Sequence, residues 1–221
     1  MSSYLTRLIA YVSPLSMMSQ MWPPPSKFTL DDMPDLTGKV VLVTGGTFGV
    51  GYAMCSALLK HNAKVYMTSR SISRGEAAIA KLKMETGKEA ILLKLDLSDL
   101  NSVKSAADEF LSNEDHLDVL FENAGLLVYD LSHRSASNID ISFAVHCLGH
   151  AYLDRLLLPA LLNTIEKTGA KARVVSIDSD AHGVVPHLEG IEWESLKVDK
   201  STQALRKRLG VFAFYGQSKM A

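Results

Sequence analysis

From Lys39 onward the chain alternates short apolar runs with longer stretches of helical spacing. Val40, Val41, Leu42 and Val43 form a run too short for a helix and rich in β-branching, which predicts a buried strand. Residues 64–69, 90–94, 117–122 and 172–177 predict four more strands. Between them, helical spacing covers residues 49–60, through Ala53, Met54, Ala57 and Leu58, then 74–84, ended near Gly87. Two more helices are expected over residues 101–111, with Ser98 or Asp99 as cap, and over 139–162. Strands alternating with helices at this spacing mean right-handed βαβ units and a parallel sheet covered on both faces, a doubly wound, Rossmann-type α/β fold.

No internal repeat or second domain interrupts that order. Residues 181–210 show little periodicity and mixed charge, and are expected to be a long excursion that contacts substrate. The folded domain is expected to occupy residues 35–221, beginning near Asp35, Leu36 and Thr37. Residues 1–34 then form an arm ending in a stiff linker at Trp22, Pro23, Pro24 and Pro25. The arm's apolar stretch, Leu5, Leu8, Ile9, Tyr11 and Val12, is far below the ~20 residues that span a bilayer. It reads as a loosely docked arm or, alternatively, as an amphipathic anchor making peripheral membrane contact.

Composition narrows the function classes. With 47% apolar residues, 21% charged residues and a net charge of −1, the chain has the profile of a globular domain and no electrostatic case for nucleic acid. Two cysteines, Cys55 and Cys147, have no metal-ligand spacing and are expected reduced and buried in a cytoplasmic protein. No metal site is expected.

The first strand runs into Thr44, Gly45, Gly46, Thr47, Phe48, Gly49, Val50 and Gly51. Strand, glycine-rich turn and helix start together make a phosphate site: glycines admit the backbone to a pyrophosphate, and the helix N-terminus offers free amides. Glycines that merely make a tight turn are the alternative. Arg70 closes the second strand, where a carboxylate would accept ribose hydroxyls and favour NAD. A guanidinium there favours the extra phosphate of NADP, and Arg74, one helical turn on, is placed to assist. A solvated arginine at a strand end is the competing view.

Thr44-Gly45-x-x-x-Gly49-x-Gly51 resembles the cofactor signature of the short-chain dehydrogenase/reductase superfamily. Asp96 and Leu97, then Asn123, Ala124 and Gly125, then Tyr215 with Lys219 match the same family in order, over residues from about Leu36 to the last. Leu148-Gly149-His150, Ala181-His182 and the run from Tyr215 to Lys219 resemble its retinol-dehydrogenase-like branch. The resemblance implies that Asp96 bonds the adenine amino group and that Asn123 stabilises the sheet beside the cofactor. A plain helix-start carboxylate remains the alternative for Asp96.

Tyr215 and Lys219 are four apart, so a helix puts both on one face. A free phenol, with a pKa near ~10, is a poor base at neutral pH. An adjacent ammonium and a cationic nicotinamide favour the phenolate, so by the resemblance Tyr215 passes the proton and Lys219 also holds the nicotinamide ribose. Family alignment places the substrate-polarising serine at Ser179, with Asp178 where relatives often have another serine. It places His146 where the family has an asparagine that holds a relay water, so His146 either supports that relay or only occupies the position. Glu122 replaces a usual asparagine, and Phe48 is bulkier than the small polar residue typical of the turn.

Only Met220 and Ala221 follow Lys219 where relatives continue, so Lys219 is expected on a frayed terminus, with exposed apolar surface and little activity. The leading expectation is an NADP(H)-dependent oxidoreductase interconverting an alcohol and a carbonyl on a small, largely apolar substrate. A non-catalytic nucleotide-binding relative, acting as a sensor or partner protein, is the alternative. Homo-oligomerisation is left open.

Overall fold

A computed structural model describes residues 22–181 and 190–221. Its centre is a five-stranded parallel sheet in the order β3-β2-β1-β4-β5. The strands are β1 (Val40–Val43), β2 (Lys64–Ser69), β3 (Ile91–Lys94), β4 (Val119–Glu122) and β5 (Arg173–Ser176). Helices α1 (Gly49–Lys60), α2 (Ile72–Thr86), α3 (Leu100–Asn113) and α4 (His150–Thr168) cover it, and α5 (Gln203–Leu209) and α6 (Val211–Met220) follow.

Strand alternation divides the core into two layers. Val41 and Val43 pack with Cys55, Leu58 and Leu59 of α1 and Leu82 of α2. Val40 and Leu42 turn the other way, to Val103 and Phe110 of α3 and Leu153 and Leu157 of α4. Each such side chain removed from water stabilises the fold by about 1.5–3 kcal/mol. Strand order reverses between β1 and β4, which opens a crevice at the carboxyl ends of the strands.

Several boundaries differ from expectation, each for a local reason. Helix α2 starts at Ile72 because Ser71 caps it, its Oγ accepting from the Arg74 amide. Asp99, not Ser98, caps α3, while Ser98 donates to Asp96. Leu117 and Asp118 lie outside β4: the Leu117 amide bonds Thr164, and the Asp118 carboxylate takes Lys39 and the Val40 amide.

The helix expected over 139–162 is a composite that runs further. A short helical turn, Ile141–Phe143, is capped by Asp140 and leads into a π-helical segment, Ala144–Gly149, before α4 begins. Buried Thr164 bonds the Leu117 backbone and keeps the polar end of α4 helical as far as Gly169, whose φ of +65° ends it.

The excursion expected over 181–210 is more ordered than its pattern implied. Its described part holds a 3-10 turn, Trp193–Leu196, and α5. Arg206 of α5 is buried and paired with Asp140 at 2.9 Å, and also donates to the Leu131 and Ser195 carbonyls. Cys55 is buried, but Cys147 only partly so; both are free thiols. Among the described residues no helix is long and apolar enough to cross a membrane. The apolar stretch at residues 5–12 and His182 lie outside the described residues.

Candidate active site

The crevice forms a cleft of about 650 Å³. It gathers the glycine turn (Gly45, Thr47, Gly49, Val50 and Gly51), Arg70 and Arg74, Asp96 and Leu97, Asn123 to Gly125, and Tyr215 and Lys219. These residues are spread over almost the whole domain sequence, and the parallel topology brings them to one edge.

Thr44 lies beneath the cleft floor, wholly buried. Its Oγ1 accepts from the Asn123 and Ala124 amides, both at 2.9 Å, and so ties β1 to the end of β4. His150 completes the joint: its Nδ1 faces the His146 carbonyl at 3.2 Å and its Nε2 faces Thr44 Oγ1 at 3.0 Å. A carbonyl only accepts, so Nδ1 carries the hydrogen and Nε2 accepts from the threonine hydroxyl. Asn123 donates from Nδ2 to the Thr44 and Gly45 carbonyls, which ties the end of β4 to the glycine turn.

Two glycines of the turn are required by geometry. Gly49 sits at φ +59°. A Cβ on Gly51 would meet the Gly45 carbonyl oxygen at 2.4 Å and Asn123 Nδ2 at 2.5 Å. Helix α1 can therefore begin against the turn only with glycine there. No side chain caps α1, so its first-turn amides are offered to a ligand. Phe48 stands at the mouth, 79% exposed, and its bulk projects into solvent instead of filling the turn.

Arg70 and Arg74 are exposed at the end of β2 and the first turn of α2. Uncapped amides and two guanidiniums form a donor set suited to a polyanionic ligand, so this end of the cleft fits a dinucleotide. Asp96 does two things: Oδ1 accepts from the Ser98 amide and hydroxyl, building the turn before α3, while the residue lines the cleft.

At the other end, α6 presents Tyr215 and Lys219 together. Lys219 Nζ donates to the Ile177 carbonyl at 2.7 Å. Burial lowers its proton affinity, and the Asp178 and Glu122 carboxylates pull it back up. Asp178 lines the cleft; Ser179 does not, and its Oγ accepts from the Ala181 amide at 3.2 Å.

His146 sits in the π-helical segment with both ring nitrogens engaged. Nε2 accepts from the Leu126 amide at 2.9 Å, so Nδ1 carries the hydrogen and donates to Ser218 Oγ at 2.8 Å. Ser218 passes its own hydrogen to the Tyr215 carbonyl. Burial, then the charges of Lys219 and His150, push the imidazole pKa down to about 3. The ring stands edge-on to Tyr215, 5.6 Å between centroids.

Arg206, Gln217 and His150 were not foreseen as site-builders. Gln217 accepts from the Glu192 amide and donates to Ser195, while Arg206 stacks on Phe214, so together they anchor α6. Nothing local distinguishes a buried arginine from a solvated one; its partner Asp140 is 66 residues away.

Residues 39–193 match the sequence profile of the short chain dehydrogenase family. A short-chain dehydrogenase/reductase of Armillaria gallica is 48% identical over 76% of this chain and 54% of its own length. Human retinol dehydrogenase 11 is 37% identical over 75% of this chain and 49% of its own length. The chain thus spans about half the length of these curated relatives. Among solved structures, an uncharacterised protein of Mycobacterium paratuberculosis is similar at 28% identity with a TM-score of 0.66, over 88% of this chain and 62% of its own.

Proposed function

The chain belongs to the short-chain dehydrogenase family, and from that premise we propose that it serves an NADP(H)-dependent oxidoreductase interconverting an alcohol and a carbonyl on a small, largely apolar molecule. The observation that carries this reading is the convergence of the uncapped α1 amides, Arg70, Asp96, Asn123, Tyr215 and Lys219 on one cleft.

The amides of Gly49, Val50 and Gly51 would hold the pyrophosphate, with Arg70 and Arg74 taking the ribose phosphate. Asp96 would take the adenine amino group. When bound, the dinucleotide exchanges a hydride with the substrate carbon. Tyr215 gives its phenolic proton to the substrate oxygen during reduction and takes it back during oxidation. Lys219, four residues on along α6, would hold the nicotinamide ribose. Ser179, two residues beyond Ile177, would polarise the substrate oxygen. His146 is a positioning residue: with both nitrogens bonded within the protein, it aligns Ser218 and the Tyr215 backbone instead of holding a water.

The test is coenzyme titration by nicotinamide fluorescence, followed by NADPH-dependent reduction across a panel of aldehydes and ketones. Saturable NADPH binding is expected, with turnover of apolar carbonyls in a version extended to the length of the relatives. Absence of binding to either reduced coenzyme would overturn the reading.

A further inference from the structure

Two carboxyl groups meet under the cleft, and among the described residues neither forms an ion pair within contact distance. Glu122 closes β4, is 8% exposed, and receives the Ser176 hydroxyl at Oε2; its Oε1 is buried with no hydrogen-bond donor. Asp154, one turn into α4, lies against it with Oδ1 likewise buried and without a donor. Two carboxylates so placed repel each other and leave two buried acceptors unsatisfied. A single hydrogen removes both faults, because one O–H satisfies its own oxygen and the acceptor opposite.

We propose that Asp154 is held as the neutral acid, donating from Oδ1 to Glu122 Oε1, and that this bond makes Asp154 a positioning residue that fixes the Glu122 carboxylate opposite Lys219. The connection to Lys219 is short. The Ile177 amide donates to the Glu122 carbonyl at 3.0 Å, and the Ile177 carbonyl accepts from Lys219 Nζ at 2.7 Å. The Glu122 charge is one of the two that favour the ammonium against burial. The groups facing Glu122 are Ser176 of β5, Cys147 of the π-helical segment, His150 and Asp154 of α4, and Lys219 of α6. Burial first, and then the Glu122 charge, raise the Asp154 pKa to about 6, so the acid form persists close to neutrality. Above that range the pair becomes doubly charged and the bond is lost.

The inference rests on Lys219 being the ammonium of the oxidoreductase site, but its first test needs neither coenzyme nor turnover. Infrared spectroscopy of the 221-residue chain, titrated from about pH 5 to about pH 8, reads the carbonyl stretch of a protonated carboxyl. In the difference between the unaltered protein and Asp154→Asn that band should be present in acid and fade through about pH 6, and in Glu122→Gln the Asp154 contribution should fade at lower pH. A band of equal size in the unaltered protein and in Asp154→Asn at about pH 5 overturns the proposal.

The second test follows modification of the Lys219 amine by peptide mass spectrometry as pH rises. Half-reaction should move to lower pH in Glu122→Gln, which removes one of the two carboxylates that favour the ammonium. Should single variants fold poorly, the Glu122→Gln/Asp154→Asn double variant replaces the bond with an amide pair. It should lack the Asp154 contribution to the infrared band and show the lower half-reaction pH. Equal half-reaction pH in Glu122→Gln and in the unaltered protein overturns the role assigned to Glu122.

Discussion

His146 Nδ1 lies 2.8 Å from Ser218 Oγ, so the π-helical segment that precedes α4 grips the helix bearing Tyr215 and Lys219. The grip depends on a neutral imidazole. A proton on Nε2 would break the bond from the Leu126 amide and place a cation near half-buried Lys219.

Acid should therefore loosen this joint. The folded pKa of about 3 is below the ordinary 6.5, so between these values the unfolded chain binds the extra proton. The stability contributed by neutral His146 is complete above about pH 6.5 and falls by up to about 1.4 kcal/mol per pH unit as pH drops toward 3. Urea midpoints measured against pH should show a shallower acid slope in His146→Asn. Parallel slopes would mean that His146 titrates normally.

Cofactor preference should follow Arg70. A charge-assisted hydrogen bond contributes about 1.5–3 kcal/mol, and exposure puts Arg70 at the lower end, so NADPH affinity in Arg70→Asp should drop roughly tenfold while NADH affinity holds or rises. Titration of both coenzymes measures the ratio; an unchanged ratio removes Arg70 from the account.

Tyr215→Phe deletes one oxygen and little volume. Carbonyl reduction should fall by roughly 10²-fold or more, with NADPH binding nearly intact, because only the transferable proton is gone. Single-turnover kinetics alongside a binding titration separate the two effects. Substantial residual reduction would identify another proton donor.

Arg206→Met should be among the most damaging substitutions away from the cleft. It leaves Asp140, 3% exposed, without its cation, and breaking such a buried pair costs about 3–5 kcal/mol. It also frees the Leu131 and Ser195 carbonyls and the Phe214 face that hold α6. Denaturant unfolding should show the loss, and coenzyme affinity should fall with it. A loss under about 1 kcal/mol would show that solvent reaches the pair.

The alternation of apolar runs was enough to determine the parallel sheet and its helices, because burial on both faces makes a strand such as β1 a short apolar run and burial on one face gives a helix a 3.6-residue period. The glycine turn and Arg70 stood out by residue type and place on those elements, Asp96, Asn123, Tyr215 and Lys219 by resemblance to a family, and the fold brings them to one cleft. Tertiary structure decided the rest. That Glu122 faces Asp154, that His146 is bonded on both nitrogens, and that Arg206 is buried against Asp140 are pairings between distant segments. Their strength comes from exclusion of water, and no local pattern records which polar side chain ends up where water cannot reach.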